Sequence, residues 1–174
     1  MPDLEDLILQ SRSDDPQVAI PALEKLAISK ENLALQAIEG ALRSASPEIQ
    51  QAAIRAIGVQ ADPRLFKPLT DFISSTPTPP LRGEGIRALA KYAGSFWDEQ
   101  IVSCIAALPV HQEYDHEIER LIHAIGETAI KSLEQYLFSE DENIIRRTLN
   151  LLISTGELGI FTLISHAPDI PPRL

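Results

Sequence analysis

The sequence predicts an all-α protein built as a solenoid: about five helical hairpins behind an N-terminal capping helix. Three observations predict it. The chain repeats at about thirty residues. Its apolar side chains recur with a helical period. Asp-Pro, Ser-Pro and Gly fall where helices would begin and end. No stretch alternates apolar and polar residues as a half-buried strand would.

The repeat is read from register. Asp15-Pro16 stands 31 residues before Ser46-Pro47, and Ala22-Leu23 stands 31 before Ala53-Ile54. "IRA" at Ile54 recurs 32 residues later at Ile86, and "GETAIKSL" from Gly126 matches "GELGIFTL" from Gly156 after 30. One wider step around "PVHQEYDHE" implies a longer loop. The chain is therefore expected to form a single repeat domain over 1–174. Its units lie near 14–45, 46–79, 80–114, 115–140 and 141–167, with a proline-rich tail at 168–174. "MPDLEDLILQ" reads as the cap, and cap and tail together favour a self-contained unit over a fragment of a longer repeat array.

The elements follow in order. In unit one, Asp15 is placed to cap a helix whose first residue is Pro16, where no amide hydrogen is missed; Pro21 should kink that helix. In unit two, Ser46-Pro47 starts a helix with Ile49, Ala53, Ala56 and Ile57 on one face. Gly58 fits a left-handed stop. Asp62-Pro63 starts the antiparallel partner, which carries Phe66, Leu69 and Ile73, with Pro68 as a second kink. Ile86, Leu89, Ala90 and Ala93 make the stripe of unit three, and Ile118, Leu121, Ile122 and Ile125 that of unit four. Glu140, Asp141 and Glu142 read as the loop and cap that open unit five. One hairpin cannot bury its stripe alone, whereas stacked copies can, which is why the pattern recurs.

Composition narrows the function. The chain has 174 residues, 44% of them apolar but only 5% aromatic, so small aliphatic side chains must fill the core. Its formal charge is −10, made of −3 up to Arg87 and −7 after it. That surface repels phosphate, so neither nucleic acid nor membrane insertion is expected. The N-terminus lacks the basic and apolar runs of a signal peptide, and a cytoplasmic setting is expected. Cys104 is the only cysteine and reads as a small buried hydrophobe beside Ile101, Ile105 and Leu108.

The stretch "SPEIQQAAIRAIGVQADPRLFKPLTDF" resembles a HEAT repeat, most closely the short class named after phycobilisome lyases. The residues that carry the likeness are Pro47, Ala53, Arg55, Ala56, Ile57, Gly58, Asp62, Pro63, Pro68 and Leu69. The likeness is good in unit two, fair in units one and three, and degenerate in four and five, which lack the opening proline. It implies a right-handed α–α superhelix whose matched residues are structural. It also implies binding of another protein, as adaptor or assembly factor. The class includes bilin lyase subunits and phycobilisome-degradation proteins of cyanobacteria. An alternative is therefore a bacterial protein that binds an open-chain tetrapyrrole (a bilin) or a phycobiliprotein.

In such stacks the second helix of each pair lines the concave face. The partner-binding candidates are accordingly Lys67, Asp71, Trp97, Gln100, Ser103, Lys131, Glu134 and Gln135. Tyr92, Phe96 and Trp97 cluster at one turn, where they would cap the local core or anchor a partner. His111, His116 and His123 stand among Glu113, Asp115, Glu117 and Glu119. Glu119 and His123 could share a metal, but no HExxH spacing occurs and a solvated loop is the reading adopted. No phosphate loop, nucleophile elbow or catalytic pairing is present. The chain reads as non-catalytic, with no cofactor and no metal.

Overall fold

The computed structural model describes residues 3–76 and 78–168. Among them are eleven α-helices and no strand. They are α1 (Leu4–Ser11), α2 (Pro16–Leu26), α3 (Asn32–Ala41), α4 (Pro47–Gln60), α5 (Phe66–Ser75), α6 (Pro79–Leu89), α7 (Asp98–Ala106), α8 (Asp115–Ile125), α9 (Glu127–Glu134), α10 (Glu142–Ser154) and α11 (Glu157–His166). Short 3₁₀ turns occupy Pro63–Leu65, Ala90–Tyr92 and Gln135–Phe138. A capping helix followed by five pairs is the count that the repeat predicts. The tail lies outside the described residues from 169 onward.

The chain divides into two compact units, Met1–Lys91 and Tyr92–Leu174. In the first, α1 packs on α2 and α3, and the first helices of successive pairs stack in a row, α2 on α4 and α4 on α6. In the second, the row of second helices is the clearest: α7 packs on α9, and α9 on α11. Each is the side-by-side stacking of helical hairpins that defines a solenoid. The predicted stripes of units two and four are cores, whereas in unit three α6 ends at Leu89, so Ile86 and Leu89 are buried but Ala90 is exposed and Ala93 half-buried. Ile49, Ala53, Ala56 and Ile57 are buried on α4, and Ile118, Leu121 and Ile122 on α8. Each buried Ile or Leu contributes about 1.5–3 kcal/mol.

The caps form as expected. A carboxylate oxygen of Asp15 accepts from the Gln17 amide at 2.9 Å, and that of Asp141 from the Asn143 amide at 2.8 Å. Ser46 Oγ accepts from the Ile49 amide at 3.4 Å. Two expectations need correction, those for Gly58 and Pro68. Gly58 does not stop α4. The helix runs on to Gln60, and Ala61 takes the left-handed turn at φ 45°. A Cβ on Gly58 would stand 3.3 Å from the Ala88 Cβ, so this glycine lets α4 approach α6. Pro21 lies inside α2, where the sequence places it. Pro68 falls in the first turn of α5, where a missing amide hydrogen costs nothing, and the chain before it is 3₁₀.

Turn chemistry separates the units. In the first, the two helices of a pair are joined by several residues. In the second, α8 meets α9 at the single residue Gly126, and α10 reaches α11 through Thr155 and Gly156. Gly126 has φ 73° and ψ −136°, and Gly156 has φ 77° and ψ −143°. Only glycine visits that region readily. The match of "GETAIKSL" to "GELGIFTL" is thus a match of backbone conformation.

Candidate protein-binding surface

The second helices of the first unit frame a groove of about 630 Å³. One wall is α3 and the turn after it, with Glu39 and Arg43; the other is α5, with Lys67 and Asp71. Leu42, Pro68 and Phe72 add the apolar lining. Each wall carries an ion pair one helical turn long. Arg43 reaches Glu39 at 2.9 Å, and Lys67 Nζ reaches both Asp71 oxygens at 2.9 Å. The charge order along the chain is acid then base at the C-terminal end of α3, and base then acid on α5. Such exposed pairs are worth well under about 1 kcal/mol. They cost little to break, and their arrangement suits them to selecting a partner's charges.

Of the sequence candidates, Lys67 and Asp71 line this groove. Glu39, Arg43 and Phe72 were not anticipated. The signal was present, since Glu39 and Arg43 lie 28 residues before Lys67 and Asp71 with the same spacing of four. The other six candidates belong to the second unit. Gln100 and Ser103 are exposed on α7, and Lys131 and Gln135 are exposed at α9 and the 3₁₀ turn that follows. Trp97 and Glu134 are half-buried. The aromatic cluster splits: Tyr92 is buried, whereas Phe96 is 74% exposed, with its ring 4.4 Å from that of Trp97. Cys104 is half-buried, less enclosed than Ile101 and Ile105, because it sits at the edge of their stripe. Among the described residues no three His, Cys, Asp or Glu side chains gather to hold a metal ion, and Glu119 and His123 both face solvent.

Polar side chains fix the frame that holds these surfaces. Gln50 and Arg82 are each the fourth residue of a first helix, and each donates to the carbonyl end of the preceding second helix. Gln50 Nε2 donates to the Leu42 carbonyl at 3.1 Å. Arg82, itself buried, donates to the Ile73 carbonyl at 3.0 Å and to that of Thr76. These are the orphan acceptors left at a helix C-terminus. In the second unit Arg147, with only 3% of its side chain exposed, donates to the Pro109 carbonyl and pairs with Asp115 at 2.8 Å. Arg64 hydrogen-bonds Asp62 and holds its carboxyl down at about 2, while reaching the Lys30 carbonyl at 3.3 Å across to the previous hairpin. On α6, burial pushes the Glu84 carboxyl up, but hydrogen bonds from Arg87 and Gln51 outweigh it and hold the group below the usual carboxylate range. Gln51 comes from α4, so this contact also ties neighbouring pairs.

The family model for HEAT repeats matches residues 2–90. This chain belongs to the HEAT-repeat family. The match covers α1 to α6 and stops at the edge of the first compact unit. No curated protein matches the chain. Among solved structures, it is similar to the crystal structure of an engineered protein from the Northeast Structural Genomics Consortium. The two are 18% identical, with 97% of this chain and 86% of that one covered and a TM-score of 0.51. That likeness supports the fold. HEAT repeats are protein-interaction scaffolds, and an open groove between second helices is the surface such a scaffold offers. No described helix is long and apolar enough to cross a membrane.

Proposed function

We propose that this HEAT-repeat chain is a non-catalytic adaptor or assembly factor that grips another protein through the exposed faces of its second helices. The groove between α3 and α5 carries the proposal. It offers an apolar lining between two reversed ion pairs. That chemistry suits a helix or extended segment with an apolar stripe flanked by charges of both signs. Lys67 and Asp71 would select the register of the segment. Trp97, Gln100, Ser103, Lys131, Glu134 and Gln135 would serve as contacts on the second unit, in one repeat domain spanning 1–174 and working in the cytoplasm.

Affinity capture from a native extract tests it, run side by side with wild type and with the double reversal Lys67→Asp, Asp71→Lys. This swap conserves net charge and touches no buried residue. The expected result is a reproducible partner that wild type retains and the reversal loses by tenfold or more. Equal retention by both proteins would remove the groove from the account.

A second reading is favoured by one observation, the exposed Phe96 ring lying against Trp97. Such a pair is a stacking surface for a planar conjugated ligand, as the resemblance to the phycobilisome-lyase class of HEAT repeats suggests. Adding a bilin would then shift its visible absorbance and quench Trp97 fluorescence. A spectrum equal to the sum of the two components excludes this reading.

A further inference from the structure

The helix α11 is built inside out. Its buried side consists of Gly159 and Thr162, while Leu158, Phe161 and Ile164 are 58%, 70% and 68% exposed. The repeat shows what this means, because α9 is its counterpart thirty residues earlier. In α9, Ile130 and Leu133 are buried, with α7 packed on one side and α10 and α11 on the other. The equivalent Ile160 is 45% exposed and Leu163 is half-buried. Exposed and half-buried positions of α9 have also changed character. Thr128, Lys131 and Glu134 become Leu158, Phe161 and Ile164. The face that α9 keeps mostly polar is thus apolar on α11.

We propose that the outer face of α11 is a homodimer interface, in which two copies pair antiparallel about a twofold axis near Phe161. Three features select a second copy. The chain carries −10, so copies repel except through a charge-free surface, and α11 has no charged residue between Glu157 and His166. Antiparallel pairing sets Glu157 of one copy toward His166 of the other and opposes the helix dipoles, so the patch complements itself as a twofold requires. The area is also adequate. With Ile153 on α10 and with Phe138, whose ring meets His166 at 5.8 Å, the exposed apolar side chains offer on the order of 600 Å² per copy. That lies at the top of what a soluble monomer usually leaves bare.

Sedimentation equilibrium over a concentration series tests the pairing. The wild-type mass is expected to rise to twice the 19.2 kDa of one chain. Phe161→Glu should return it to one chain mass with unchanged far-ultraviolet circular dichroism. Ile164→Gln, a milder change that keeps the fold if Phe161→Glu does not, should weaken dimerisation at least tenfold. Ile28→Glu, at an apolar side chain 82% exposed elsewhere, should leave the mass unaltered. A monomer at every concentration overturns the proposal, as does a dimer that survives the α11 substitutions. The groove between α3 and α5 shares no residue with this face, so either proposal can fail alone.

Discussion

The two compact units pair their helices alike and secure the pairs differently. In Met1–Lys91, prolines open α2, α4 and α6, multi-residue turns join the helices, and the family model for HEAT repeats matches nearly every residue. In Tyr92–Leu174, α8, α10 and α11 open on acidic residues, Gly126 and Gly156 make the turns, and that match is absent. What persists across both is the apolar stripe. Stacking of hairpins depends on side chains that must leave water, and the turn between them can be solved in more than one way.

The largest test strikes that shared element. Ile57 is fully buried on α4. Ile57→Asp places a carboxylate among apolar neighbours of two hairpins and should leave an unfolded or aggregated chain. A melting temperature equal to wild type would show that the stripe does not hold the first unit together. Next is the polar lock of the second unit. Arg147→Leu leaves the Pro109 carbonyl with the Tyr114 hydroxyl as its donor but removes the cation paired with Asp115, and should cost about 2 kcal/mol in denaturant titration. A cost below about 1 kcal/mol would mean that apolar packing alone aligns α8 and α10.

A smaller pair of substitutions separates the two uses of glycine. Gly126→Ala forces a Cβ into a backbone region that L-residues avoid and should cost about 2 kcal/mol. Gly58→Ala meets Ala88 at 3.3 Å but gains helix propensity, so its net effect should stay within about 1 kcal/mol of zero. Equal losses at both positions would erase the distinction between a turn glycine and a spacing glycine. The smallest effect concerns Asp62. Its carboxyl is held at about 2, below the ordinary value near 3.8, so it stabilises the fold at neutral pH, and that contribution fades as pH falls from about 4 toward 2. Asp62→Asn should cost about 1 kcal/mol at pH 7 and nothing below pH 2. A cost that ignored pH would assign the cap to geometry alone.

Much of this was legible beforehand because it is local. Caps at Asp15, Ser46, Asp62 and Asp141 depend on a side chain and an amide two or three residues away. The Gly58 error has the opposite origin. A glycine after an apolar run looks the same whether it ends a helix or admits a neighbour, and only Ala88 on α6 decides. Two residues of the groove wall were legible for a related reason. Lys67 and Asp71 follow from counting second helices, while Glu39 and Arg43 join them only because α3 and α5 share a groove. The uncovered face of α11 escaped notice too, since "LGIFTLI" reads simply as core until its buried side proves to be Gly159 and Thr162.

The sequence by itself determined the class of fold, the number of hairpins and the positions of most helix starts. These rest on period and on hydrogen bonds within a turn or two of the chain. Tertiary structure alone decided which glycines are spacers, which arginines are interred against carbonyl ends, and which apolar side chains of α11 lie in water. Each depends on what a neighbouring helix or turn brings within a few ångströms.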